Sequence, residues 1–201
     1  MNYLDTDIRY CKGIGEKKAL LFNKLGVFNV RDLVSYFPRK YEDRSSFKPI
    51  ALTCDGETVC INALAAEDAR LVRIRRGLEL VKFRVVDESG SVDITFFNQP
   101  YIKNNIHRGD SLNIYGKIIG VGGKRTMTNP VIEREGTVGG VTGRIVPVYR
   151  LTTGLSQKLI MSAVRQALDA SAAELPEVLP ESLRKKYRLS QAGYALSLIH
   201  I

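Results

Sequence analysis

A chain of 201 residues, 44% of them hydrophobic, is long enough for one ordinary domain with attached elements or for two small ones, and apolar enough to fold. Its 30 Lys and Arg against 21 Asp and Glu leave a formal charge of +9, which favours a polyanionic partner such as nucleic acid. The excess is +2 over residues 1–57, +3 over 58–135 and +4 over 136–201, which excludes a basic tail and leaves local clustering to make any binding surface.

Residues 1–57 read as a helical hairpin and a linker. Gly13-Ile14-Gly15 precedes a segment, Glu16 to Leu25, in which Ala19, Leu20, Phe22 and Leu25 fall roughly at helical spacing, and Gly26 stands where a C-terminal cap belongs. Asn29, three residues before Asp32, offers an N-cap to a second helix through Val30, Leu33, Val34 and Phe37, ended by Pro38. A G-x-G turn ahead of a helix aims backbone N–H groups outward, so Gly13 and Gly15 could contact a phosphate, as in helix-hairpin-helix modules. A plain packing hairpin explains the same glycines.

Over residues 58–135 the hydrophobic period changes to two. Alternating runs at Thr58–Ala66, Leu78–Val86, Ser91–Phe97, Ser111–Ile119 and Thr126–Glu135 give five strands, with a short helix-compatible segment from Pro100 to Ile106 between the third and fourth. Five strands with an insert there is the pattern of the OB-fold, a small barrel that often binds oligonucleotides. The fold class is α+β and mainly β: an OB barrel between a helical hairpin and C-terminal helices.

Residues 136–201 begin with a glycine-rich connector, GTVGGVTGR, and a short extended piece, Ile145 to Tyr149. Helical spacing returns at Leu155, Leu159, Ile160, Val164, Ala167 and Leu168, and again over Ser182 to Tyr187 and Ser190 to Leu198. The ending LSLIHI carries no helix cap and no polar tail, so truncation is expected, with roughly the last six residues foreign to the native chain.

Alternation assigns the strand faces. Val92, Ile94 and Phe96 share the core side of the third strand and put Phe97 outside; Val81, Phe83 and Val85 put Lys82 and Arg84 outside; Leu112, Ile114 and Ile118 put Tyr115 and Lys117 outside. One outer surface would then collect Phe97, Tyr115, Lys82, Arg84 and Lys117, with Tyr101 four residues beyond Phe97. Rings interleaved with cations suit single-stranded nucleic acid, because every base has a stackable face and every nucleotide a phosphate. Base stacking is the favoured reading for Phe97 and Tyr101, whereas Tyr115 fits stacking and packing equally. The loop after the first strand holds Arg70, Arg73, Arg75 and Arg76, and the loop after the fourth holds Gly122, Gly123, Lys124 and Arg125; an OB-fold places both beside its ligand.

Other chemistry is lacking. Cys11, Cys54 and Cys60 contain no C-x-x-C pair, and His107 and His200 are far apart, so neither a metal site nor a disulfide framework is indicated. There is no phosphate loop, no nucleophile with a partner histidine and no paired carboxylates in a plausible cleft, so no catalytic residue is assigned. No secretory signal and no apolar run near the ~20 residues of a membrane span appear, which points to a cytoplasmic chain.

Several motifs are specific in combination. Lys12-Gly13-Ile14-Gly15, Leu25-Gly26-Val27, Asp32-Leu33 and Phe37-Pro38-Arg39-Lys40-Tyr41-Glu42-Asp43-Arg44 resemble the amino-terminal part of the RecG branch-migration helicases. So do Phe96-Phe97-Asn98-Gln99-Pro100-Tyr101, Gly116-Lys117, Pro147-Val148-Tyr149, Thr153-Gly154-Leu155-Ser156, Leu179-Pro180, Ala195-Leu196 and Ile199-His200. The last two pairs make the tail partly native, and Glu16 departs from a frequent proline. The resemblance implies a wedge domain ahead of two motor domains, with Phe97 and Tyr101 stacking on bases where template strands part. Arg70, Arg73, Arg75, Arg76, Lys124 and Arg125 would hold phosphates with little sequence preference. The implied partners are forked or four-way DNA and the chain's own motor domains, which would use ATP and magnesium; the fragment needs no cofactor. A bacterial, nucleoid-associated monomer is expected. The residues alone also fit a general single-stranded DNA- or RNA-binding module, or a protein-interaction OB domain.

Overall fold

The computed structural model describes residues 2–121, 123–171 and 174–200, and of Val121 the backbone only. Gly122 of the expected second basic loop and Ile201 of the apolar tail lie outside the described residues. The chain divides into two units, Met1–Glu42 with Val146–Ile201, and Asp43–Ile145. This differs from the expected segments ending at 57 and 135: the two chain ends form one unit because their helices share one apolar core.

The first unit holds α1 (Glu16–Asn23), α2 (Val30–Val34), α3 (Gln157–Ser171), α4 (Glu181–Tyr187) and α5 (Ala192–Ile199). In α3 the buried residues Ile160, Ala163, Val164, Ala167, Leu168 and Ser171 form one stripe at helical spacing. That stripe joins Ile8, Phe22, Val30 and Leu33 in a single core. Asn29 caps α2 as expected: its Oδ1 accepts from the Asp32 N–H at 2.9 Å, and Asp32 accepts in return from the N–H of Asn29 at 3.3 Å. Replacing Asn29 by alanine leaves that N–H unpaired and should cost about 1 kcal/mol; a denaturant midpoint that does not move would contradict it.

The tail is built into this core as far as His200. The buried ring of Tyr149 stacks on His200 with centroids 5.9 Å apart, and Tyr149 Oη lies 2.7 Å from His200 Nδ1. Nε2 of the same ring lies 2.9 Å from the Val34 carbonyl. Burial lowers the His200 pKa, so a neutral ring donating from Nε2 and accepting at Nδ1 fits both contacts.

The strands run β1 (Lys40–Asp43), β2 (Thr58–Ala65), β3 (Arg70–Arg75), β4 (Leu78–Val86), β5 (Ser91–Phe97), β6 (Ser111–Val121), β7 (Lys124–Thr128), β8 (Val131–Arg134) and β9 (Ile145–Val148), of which β2 to β8 lie wholly in the second unit. β1 and β9 pair as a short ribbon along which the chain passes between the units. The order β2-β4-β5-β7-β6 closes through a β2–β6 pairing, with β5 and β7 parallel and the other pairs antiparallel. This is the expected five-stranded OB barrel. Its core gathers Val81, Phe83, Val85, Val92, Ile94, Phe96, Leu112, Ile114 and Ile118, the inward sets that alternation assigns.

Two departures matter for the site. The expected fifth strand splits into β7 and β8, because Asn129 takes a positive φ of 47° and Pro130 has no N–H to give the ladder. The arginine-rich segment expected as a loop is instead strand β3, paired along β4 with Leu71 packed against the core. Among the described residues no helix is long and apolar enough to cross a membrane.

Candidate nucleic-acid interface

Phe97 is the last residue of β5, turned outward and 41% exposed. Its cross-strand partner, Leu80 of β4, is buried although it shares the outer face, so the ring rises from an apolar footing. The chain then turns at Asn98, where φ is 53°, and enters a 3₁₀ turn, Pro100–Asn104, that carries Tyr101 at 61% exposure. The expected helical segment is this shorter turn.

Polar side chains surround the two rings. The Phe97 N–H donates to Asn129 Oδ1 at 2.9 Å, while the Asn98 N–H donates to the Glu79 carbonyl at 2.8 Å. Asn98 Oδ1 accepts from the Glu79 N–H at 3.0 Å. The Tyr101 hydroxyl donates to Gln99 Oε1 at 2.6 Å, and the Gln99 amide donates to Asn129 Oδ1 at 3.4 Å. Nothing in hydrophobic periodicity points to Asn98, Gln99 or Asn129; Asn98 and Gln99 stand out only within the motif Phe96 to Tyr101, and Asn129 only through the turn-forming Asn-Pro pair at 129–130.

Beside this tip, a cleft of about 520 Å³ is lined by Arg73, Arg75 and Arg76 of the β3–β4 hairpin and by Asn98 and Pro100 of the tip. Arg70 pairs with Glu67 and Arg73 with Glu79, each at 2.9 Å, whereas neither Arg75 nor Arg76 makes an ion pair among the described residues. Exposed pairs of this sort are worth little, so a phosphate can compete for the arginines. Lys82 is exposed on the same wall, directly across from Thr95 of β5. Arg84 is engaged by Asp93 through contacts of 2.7 and 3.3 Å.

The other expected residues do not gather there. Tyr115 and Lys117 do lie outside the core, but on β6, which is separated from β5 by β7 on one side and by β2 and β4 on the other. Alternation distinguishes inside from outside and cannot say which wall of a closed barrel a residue occupies, so the single outer surface read from the sequence is two surfaces. One face of the Tyr115 ring is also covered, by the Arg44 guanidinium 4.1 Å from its centroid.

Lys124 and Arg125 open β7, which runs parallel to β5 with Asp93 opposite Thr126 and Thr95 opposite Thr128. They therefore lie level with the start of β5, roughly 20 Å from Phe97 at the usual rise per residue. Arg125 donates to the Ala51 carbonyl at 3.0 Å. Gly13 and Gly15 belong to the first unit; both have positive φ, and Gly15 starts α1 without a side-chain cap. The Lys18 ammonium donates to the Gly13 carbonyl at 2.7 Å.

Comparison with known proteins bears on this arrangement. Residues 7–170 match the RecG wedge domain family. Over 195 residues the chain is 28% identical to the ATP-dependent DNA helicase RecG of Bacillus subtilis (strain 168), spanning 97% of this chain and 28% of that protein. The protein of the same name from Streptococcus pneumoniae is 30% identical over 198 residues, spanning 98% of this chain and 28% of its own length. The chain is also similar to a solved structure of RecG bound to a three-way DNA junction, with a TM-score of 0.87 and 27% identity over 98% of this chain and 27% of that one.

Proposed function

Because the chain belongs to the RecG wedge domain family, we propose that it is the branched-DNA-binding wedge of an ATP-dependent DNA helicase acting in recombination and repair. The observation that carries this reading is the pair of open rings, Phe97 and Tyr101, standing at a strand end beside a cleft lined by Arg73, Arg75 and Arg76. Open rings present stacking faces to bases that have lost their pairing partner, and arginines hold the adjoining phosphates without reading sequence. In an intact duplex the bases are already stacked, so the rings add nothing there. Arrival at a branch point is what gives them bases to meet.

In the longer protein the motor domains would draw the parental duplex forward, using ATP and magnesium. The barrel would then stand as a rigid obstacle at which the strands part. Lys82 adds charge to the wall that carries Phe97, whereas Tyr115, Lys117, Lys124 and Arg125 would serve as outlying contacts along departing arms. Gly13 and Gly15 would add a phosphate contact from the hairpin.

Titration of forked, linear duplex and linear single-stranded DNA at two salt concentrations tests the proposal. Forked DNA is expected to bind tightest, and all affinities are expected to fall as salt rises, because cations on the DNA are released on binding. Equal affinity for fork and duplex would overturn it. Preference for linear single strands would favour a general single-strand-binding barrel instead.

A further inference from the structure

We propose that Asn129, with Asn98 and Gln99, acts as a positioning residue that holds the Phe97–Tyr101 tip in its stacking arrangement before DNA arrives. Resting on the wedge reading above, the proposal adds the side chains that set the geometry of its rings.

The barrel's backbone ladder runs out at this point. The last backbone rung between the β7 side and β5 is the Asn129 N–H donating to the Thr95 carbonyl at 2.9 Å. Asn129 itself then turns into the left-handed region, with φ of 47°, and the backbone leaves the sheet. Its side-chain carbonyl then replaces the missing rung by accepting the Phe97 N–H at 2.9 Å. On the other edge, Asn98 does the same for β4. It exchanges two hydrogen bonds with the backbone of Glu79, one through its own N–H and one through its side chain, and turns away with φ of 53°.

The end of β5 is thus held by hydrogen bonds along both edges, through the Phe97 N–H toward Asn129 and through Asn98 toward β4. Asparagine suits both positions, since it tolerates the left-handed region and carries an acceptor short enough to reach a neighbouring backbone amide. Gln99 extends the brace to the second ring: Tyr101 Oη donates to it at 2.6 Å, and it donates to Asn129 at 3.4 Å. One side-chain oxygen, Asn129 Oδ1, therefore reaches the first ring through a backbone amide and the second through a glutamine.

Function gives this brace a purpose. A ring that must be immobilised on binding loses rotamer and backbone freedom at that moment, and this loss subtracts from the stacking energy. Fixing the backbone beforehand removes that cost. Tyr101 and Phe97 are exposed, so little packing could fix them otherwise.

The test uses the whole chain with Asn129→Gly, which keeps the left-handed backbone and removes only the acceptor. Amide exchange of Phe97 should speed up about tenfold, the factor one well-made hydrogen bond supplies. The amides of Ile94 and Ile114, in the barrel core, should stay protected and show that the fold survives. Fork affinity should fall about tenfold in parallel, and a 2-aminopurine placed at the branch point should lose its quenching. Asn129→Asp retains an acceptor and should keep the Phe97 amide protected.

Unchanged protection in Asn129→Gly overturns the proposal, as does lost protection with unchanged fork affinity. Should Asn129→Gly unfold the core amides, Gln99→Ala replaces it. That change cuts the link from Tyr101 in an exposed turn and should weaken fork binding about threefold; no change overturns the proposal. Failure of the wedge reading looks different, since wild-type protein would then bind fork and duplex equally while the Phe97 amide stayed protected.

Discussion

Replacing Phe97 and Tyr101 together by alanine is expected to weaken binding to forked DNA about a hundredfold and to leave binding to linear duplex nearly unchanged. Each ring stacked on a base is worth roughly 1–3 kcal/mol, so losing two removes about 3 kcal/mol even when part of the contact survives as solvent-filled space. The duplex serves as the internal control. On the proposed reading its affinity comes from phosphates held by side chains such as Arg75 and Arg76 of the cleft, which the double variant leaves in place. Comparative titration by fluorescence anisotropy reads both numbers on one sample. A loss shared equally by fork and duplex would mean that the rings support the fold or the cleft and do not stack on bases.

Salt separates the two contributions further. Raising it weakens phosphate contacts on every substrate, whereas stacking releases no counterions. The fork-to-duplex ratio of the wild type should therefore persist as salt increases, and the ratio for the double variant should sit near one throughout. Stability should change little, because both rings are substantially exposed and neither belongs to the barrel core.

Much of this was legible in the residues. The inward sets of β4, β5 and β6 follow from strict alternation, because each of these strands has one wet and one dry face. The Asn29 cap is a local signal and needs no tertiary context. β3 was hidden for the opposite reason: RLVRIR is so arginine-rich that it reads as solvated loop, and its strand character comes from pairing with β4. The exposed ribbon strand β1, with the sequence KYED, was hidden in the same way. The candidate site was legible at its rings and not at its braces. Phe97 is placed outside by period alone, but Asn129 acts on it across 32 residues of chain, a relation that no pattern along the sequence carries.

The glycine-rich connector shows the same limit, and Glu133 supplies the measurement that exposes it. Composition makes residues 136–144 a glycine-rich connector, yet within the second unit this stretch is hydrogen-bonded to Arg44 and to a carboxylate of β8. Glu133 of β8 accepts the Val141 N–H at 2.8 and 2.9 Å, the Thr142 N–H at 2.9 Å and the Thr142 hydroxyl at 2.6 Å. Gly140 leaves room for this contact, since a Cβ there would come within 2.6 Å of Glu133 Oε2 and the carboxylate would have to shift. Replacing Glu133 by alanine strands three donors at once and should destabilise the unit by about 2–3 kcal/mol. Glutamine keeps an acceptor and should cost less.

The acid side gives the sign. Burial alone would raise the Glu133 pKa, but the Thr142 hydroxyl, the Val141 and Thr142 N–H groups and the Arg144 charge outweigh it and lower it below the ordinary 4.5. A carboxyl whose folded pKa is depressed contributes stability that is complete above its unfolded value and disappears as pH falls through its folded one. Wild-type stability should therefore drop from about pH 4.5 downward, and Glu133→Ala should lie closer to it at pH 3 than at pH 7. Urea midpoints measured across that range decide the matter: a gap between the two proteins that stays constant with pH would show that Glu133 does not hold the connector as a carboxylate.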